Sequence, residues 1–273
     1  YDNKLYMITV NDVYTANFKE DGTVDEPKKI MTGLPAGGQH PNRTLFIGPD
    51  GMMYITVGST CNACGETNKV NATIMRADAQ GKNAKIFATG LRNTIGIDWH
   101  PETGELYGMD HGIDWLGDNE QKEELNHIVM GANYGWPYIY ADGKKNEADN
   151  PPNMTYEEYA KKCKEPDMLF TAHSAPMSML FYEGDMFPED YRNNAFITFH
   201  GSWNRKPASG YKIMQVIFED GKPVQSKDFV SGFISDDGKE QFGRVVGLAQ
   251  HIDGSFMVTD DDSGVVYRIA YDN

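Results

Sequence analysis

The sequence predicts an all-β fold, a β-propeller, from a recurring hairpin unit, the near absence of helical periodicity and the chain length. A strand–turn–strand pattern occurs as "LFIGPDGMMYITVGS" at 45–59, "IGIDWHPETGELYGMDHG" at 95–112 and "VGLAQHIDGSFMVTDDDSGVVYRIAY" at 246–271. Antiparallel hairpins spaced tens of residues apart are the signature of blades stacked around an axis. The chain has 273 residues, long for one ordinary core but suited to a single propeller.

Taking the chain in order, "KLYMITVNDVYTANF" at 4–18 reads as a first, incomplete unit. The Pro-Asp-Gly and Thr-Gly turns of the next two units suit tight hairpins, because glycine accepts positive φ at little cost. Segment 113–175 is too long for an ordinary loop and reads as a functional insertion. Within it, "QKEELNHIV" at 121–129 and "TYEEYAKKCK" at 155–164 are the best helix candidates. A weaker hairpin covers 195–218, and about five units result, in one domain over 1–273. The chain opens at Tyr1 already reading as strand, which suggests a mature or truncated chain whose true start lies upstream.

The formal net charge of −15 argues against nucleic acid and anionic membrane surfaces as partners. No window approaches the roughly 18 uninterrupted apolar residues of a membrane span. Three cysteines, Cys61, Cys64 and Cys163, are too few for a disulfide scaffold. "CNACG" lacks the histidine of a haem attachment site and a second Cys pair for zinc, so it reads as a local disulfide or a structural loop.

In a propeller, polar residues at the ends of inner strands gather at the central channel. His40, the pair Arg92-Asn93, His173 and "HGSWNR" at 200–205 occupy such ends, and Arg244 precedes a strand of the last unit. A loop histidine is commonly solvated or hydrogen-bonded, but an imidazole can also take a proton from a substrate hydroxyl near neutral pH. Arg92 fits either a turn salt bridge or a fixed guanidinium for a carboxylate or oxyanion. "WLGDNEQKEELNHIVMGANYGWP" at 115–137 offers carboxylates and exposed carbonyls suited to a hard cation, without EF-hand spacing. Its plain alternative is a helix start capped by Asp118 or Asn119.

Five motifs stand in a telling order: "HPNRTLFIGPDGMMYITVGSTCNAC", "GLRNTIGIDWHPETGELY", "DWLGDNEQKEELNHIVMGANYGWPY", "HSAPMSMLFYEGDMFPEDYRNNAFITFHGSWNR" and "GRVVGLAQHIDGSFMVTDDDSGVVYRI". Together they resemble the soluble pyrroloquinoline quinone (PQQ)-dependent sugar dehydrogenases, in the sorbosone and aldose sugar dehydrogenase branch. The resemblance implies a six-bladed β-propeller, with about one N-terminal blade absent from this chain. It implies hydride transfer from C1 of an aldose or sugar-derived aldehyde to PQQ, with Ca²⁺ polarising the quinone and an external electron acceptor completing the cycle. His40 matches the general base. Arg92 matches the partner of the developing negative charge on the quinone oxygen, and Asn93 a hydrogen bond beside it. Arg205 and Arg244 match the basic residues that hold the PQQ carboxylates. Gly117 and Asp118 match the turn whose carbonyls bind Ca²⁺, supported by Glu123, Glu124 and Tyr134. The family's location implies the periplasm or the extracellular space. Ile95 and Val246 replace a glutamine and a second arginine of the glucose-oxidising relatives, and "MDHGID" at 109–114 departs from the branch pattern. Two readings compete: a non-catalytic carbohydrate- or protein-binding propeller that has lost PQQ, and a lactonase-like metal hydrolase.

Overall fold

The computed structural model describes residues 1–272, which divide into two compact units, Tyr1–Thr94 with Val129–Glu165, and Ile95–Ile128 with Pro166 onward. In the first unit, β1 (Lys4–Ile8), β2 (Asp12–Asn17) and β3 (Lys28–Thr32) form a three-stranded antiparallel sheet in chain order. A four-stranded sheet follows: β4 (Leu45–Ile47), β5 (Met52–Val57), β6 (Thr73–Asp78) and β7 (Lys85–Thr89). Its first hairpin is set by the Pro-Asp-Gly turn. Gly51 N donates to Gly48 O at 2.9 Å and Met52 N to Asp50 Oδ1 at 3.0 Å, which puts Ile47 opposite Met53 and Leu45 opposite Ile55. The period-2 alternation of strands then sends Met53, Ile55 and Val57 to one face. There they pack with Val13, Leu34, Met75 and Ala77 in the unit's core, each large apolar side chain contributing about 1.5–3 kcal/mol on burial.

The second unit opens with β8 (Thr94–Trp99), β9 (Leu106–Asp110) and β10 (Glu123–Ile128). The chain between β10 and the strand that completes this sheet belongs to the first unit and carries β11 (Ile139–Tyr140), β12 (Lys144–Lys145) and α1 (Tyr156–Ala160). Helix α1 has a capping box, Thr155 Oγ1 accepting from Glu158 N while Glu158 accepts from Thr155 N, so the 155–164 expectation holds as a short helix. β13 (Met168–Phe170) then pairs with β10, giving the order β13-β10-β9-β8.

Two expectations are corrected here. "QKEELNHIV" is a strand, because Leu125 pairs with Met109 on one side and Met168 on the other and is wholly buried among Tyr107, Phe170 and Phe181. Helix caps at Asp118 or Asn119 are therefore absent. The 113–175 insertion shrinks accordingly, since two blade strands lie inside it.

The remaining sheets are β14 (Pro176–Phe181), β15 (Ala195–Phe199), β16 (Lys212–Glu219) and β17 (Lys222–Val230), then β18 (Val245–Gln250), β19 (Phe256–Asp260) and β20 (Val265–Ile269). Tyr182, Phe187, Phe196 and Phe256 anchor an aromatic core between these last two sheets. The fold is thus all-β, a β-propeller of five blades, three-stranded at both ends of the chain. The count of six implied by the resemblance is not met among the described residues. No described helix is long and apolar enough to cross a membrane.

Candidate functional site

In the first unit the chain leaves β5 at Val57 and runs through Gly58 and Ser59 into the cysteine turn. Ser59 N donates to Arg92 O at 2.8 Å, His40 N to Ser59 O at 3.2 Å and Gln39 N to Thr60 O at 2.9 Å. Three segments far apart in sequence thereby lie side by side. His40 Nδ1 is 2.8 Å from Ser59 Oγ, and Arg43 Nη1 donates to His40 O at 3.0 Å. A Cβ on Gly58 would stand 2.6 Å from His40 Cβ and 2.8 Å from Asn93 Oδ1, so the close meeting of His40 and Asn93 requires a glycine there. Arg92 is 2% exposed. Its Nε donates to Asn62 O at 2.8 Å and its Nη2 to Asn62 Oδ1 at 2.6 Å. The structure therefore brings His40, Arg92 and Asn93 together.

Asn62 lies within the turn closed by a Cys61–Cys64 disulfide, which resolves the two readings of "CNACG" in favour of the bond. Cys163 is free, and burial pushes its thiol up to about 11, away from the reactive thiolate form.

The second unit holds the other matched residues except Tyr134. Gly117, at φ +82°, turns the acidic loop, and its carbonyl lies 2.8 Å from His173 Nε2. Asp118 O accepts from Arg205 Nε at 2.8 Å, and Asp118 Oδ1 from Lys206 N at 3.3 Å. Glu123 is buried and accepts from Gly112 N at 2.9 Å and Ala175 N at 3.0 Å, so it fastens two loops. Glu124, also buried, lies 3.3 Å from Gln121 Nε2 and 3.4 Å from Asn126 Nδ2. Arg244 donates to His200 O at 3.2 Å and Gly201 O at 2.7 Å and lies over the Tyr211 ring at 5.8 Å. Tyr134 belongs to the first unit, where its hydroxyl accepts from Val129 N at 2.8 Å.

Two features bear on the implied cofactors. The guanidinium groups of Arg205 and Arg244 make their hydrogen bonds to carbonyl and amide oxygens, and among the described residues neither guanidinium forms an ion pair, although Arg244 N donates to Asp260 Oδ1 at 3.1 Å. Two guanidinium groups without an ion-pair partner fit an anionic, carboxylate-bearing group. The loop carries the Gly117 and Asp118 carbonyls, which face His173 Nε2 and Arg205 Nε, while β10 carries Glu123 and Glu124 on alternate sides, and Asn126 Oδ1, fully buried, has no hydrogen-bond partner. Oxygen is the donor type that calcium takes. Among the described residues, the group of three His, Cys, Asp or Glu side chains close enough to share an ion is Cys61, Cys64 and Glu66. Both of its sulfurs are spent in the disulfide.

Sequence reasoning missed Gly58, Ser59 and Asn62. Their signal is positional: they lie in "GSTCNAC", directly after the hairpin that His40 introduces.

A family model described as TrAA12-like matches residues 1–272. An uncharacterised protein of Borreliella burgdorferi is 32% identical over all of this chain and 74% of its own length. A pyrroloquinoline quinone-dependent sugar dehydrogenase of Hypocrea jecorina is 24% identical over 72% of this chain, which spans 55% of that protein. A calcium structure of the Trichoderma reesei carbohydrate-active enzyme of family AA12 superposes with a TM-score of 0.85 at 22% identity, covering 97% of this chain and 77% of that one. The resemblance read from the motifs and the full-length match agree: the chain belongs to the TrAA12-like family.

Proposed function

We propose that this chain is an oxidoreductase that oxidises a sugar, an aldose or a sugar-derived aldehyde, at C1 with PQQ as cofactor and Ca²⁺ beside it, passing electrons to an external acceptor. The name of the Hypocrea jecorina relative supports PQQ and a sugar substrate, and the family match over 1–272 supports reading the chain as one propeller domain. The observation that carries the reading is His40 held at Nδ1 by Ser59 Oγ at 2.8 Å, beside Asn93 and the buried Arg92.

When bound, PQQ supplies a hydride-accepting ortho-quinone and the cation polarises it. The chain does the rest. His40 takes the proton from the C1 hydroxyl, which raises electron density on that carbon. Arg92, buried and fixed by Asn62, presents a guanidinium to developing negative charge, a role that gains strength away from water. Arg205 and Arg244 hold the cofactor's carboxylates. Gly117 and Asp118 offer carbonyls to the cation, with Glu123 and Glu124 supporting that part of the chain.

The disulfide fits an oxidising compartment, the periplasm or the extracellular space. Val246 favours a second reading, a propeller that binds sugar or protein without PQQ, because it is an apolar residue where the resemblance implies a second arginine in the glucose-oxidising relatives. Reconstitution separates the two: purified protein receives PQQ and Ca²⁺, and dye reduction is followed with glucose, other aldoses and sorbosone. Substrate-dependent dye reduction is expected. No reduction and no change in PQQ absorbance would overturn the enzyme reading.

A further inference from the structure

The cysteine turn touches both His40 and Arg92. The Ser59 hydroxyl, wholly buried, has one proton and lies 2.7 Å from Cys61 O and 2.8 Å from His40 Nδ1. A carbonyl cannot donate, so the proton goes to Cys61 O and Ser59 Oγ accepts from His40 Nδ1–H. That fixes the neutral tautomer: Nδ1 carries the hydrogen and Nε2 the basic lone pair. One residue further on, Asn62 receives Arg92 through both its main-chain and its side-chain oxygen, a fork that sets the plane of the guanidinium as well as its place.

The turn itself is fastened on every side. The Cys61–Cys64 bond closes it, with the two Cα atoms 6.1 Å apart. Upstream, Glu66 accepts from Thr60 N at 2.6 Å and Thr60 Oγ1 at 2.7 Å. Downstream, Asp149 Oδ2 accepts from Gly65 N at 2.9 Å. A four-residue ring with both flanks tied has few ways to move Cys61 O or Asn62 Oδ1.

We propose that the disulfide-closed turn is a positioning device, in which Ser59 sets the tautomer of His40 and Asn62 aims Arg92. Ser59 and Asn62 are positioning residues for the proton abstraction that the proposed function assigns to His40, and the inference rests on that assignment. The disulfide serves the reaction by holding the oxygens that orient its base and its cation.

The test uses the full chain in two forms. In the cofactor-free protein, ¹⁵N-histidine and ¹⁵N-arginine NMR at mildly alkaline pH should show His40 protonated at Nδ1, with a pyridine-like Nε2. Ser59→Ala should move His40 toward the Nε2-protonated form, and Asn62→Ala should shift the Arg92 Nε resonance. The double variant Cys61→Ser, Cys64→Ser should do both. In the reconstituted enzyme, Asn62→Ala should lower kcat by about 10–100-fold with KM changed little, the cost of a misplaced group. Circular dichroism and melting confirm folding, and if the double variant does not fold, the two single variants decide. An Nε2-protonated His40 in the wild type would overturn the proposal, as would unchanged resonances and kcat in the folded variants. If the wild type oxidises no sugar, the functional reading fails, while the cofactor-free spectra still decide whether the turn sets the tautomer and aims the arginine.

Discussion

Gly58 packs so tightly against His40 that a β-carbon built on it would lie 2.6 Å from the histidine's Cβ and 2.9 Å from its carbonyl oxygen. The backbone of one strand end thus serves as the wall against which the imidazole is set. Gly58→Ala forces that wall outward. We expect it to cost about 1–3 kcal/mol of stability, as overpacking does, and to lower kcat as His40 is displaced. Urea unfolding checks the first effect and the reconstituted dye assay the second.

His40→Ala removes the proton acceptor while leaving Ser59 bound to Cys61 O. A loss in kcat of about 10²–10⁴-fold is expected, the usual weight of a general base. Steady-state kinetics with a saturating aldose measure it, and an unchanged kcat would move the base elsewhere.

The Arg244 guanidinium has two carbonyl partners and, among the described residues, no ion pair. Arg244→Ala should weaken PQQ binding by about 10–100-fold, the equivalent of one charged hydrogen bond. Fluorescence titration of the cofactor-free protein with PQQ gives the ratio. Arg205→Ala should act in the same direction and should also loosen the Asp118 turn, whose carbonyl it holds at 2.8 Å.

Burial pushes the Asp98 carboxyl up to about 6, against the pull of hydrogen bonds from Phe181 N at 2.7 Å and Trp99 N at 2.8 Å. The folded state then holds its proton more tightly than the unfolded chain. Stability should fall as pH rises from about 4 to about 6 and level off above, because the ionised form is the disfavoured one. Asp98→Asn carries no charge, but Phe181 N bonds Oδ2 and Trp99 N bonds Oδ1, so its single amide oxygen keeps only one of the two hydrogen bonds. The variant should lose the fall in stability between about pH 4 and pH 6, with the lost hydrogen bond as a cost that does not vary with pH. Thermal melts across that range check the sign.

The hairpins, the turns between them and the match to the family motifs are written locally, and they were readable from the chain alone. A Pro-Asp-Gly turn or an alternating apolar run fixes its own geometry through φ and through the two-residue period of a strand, with little need of partners. Short mixed segments are different. "QKEELNHIV" fits a helix period as well as a strand period over so few residues, and pairing of Leu125 with Met109 and Met168 settled it as β10. The candidate site shows the same division. His40, Arg92 and Asn93 could be named from their residue types and places in motifs. What holds them could not be, since the ties from Ser59 and Asn62 join residues 19 and 30 positions apart. Such contacts arise when loops that follow different strands are packed together, and packing is a property of the folded chain, not of any window along it.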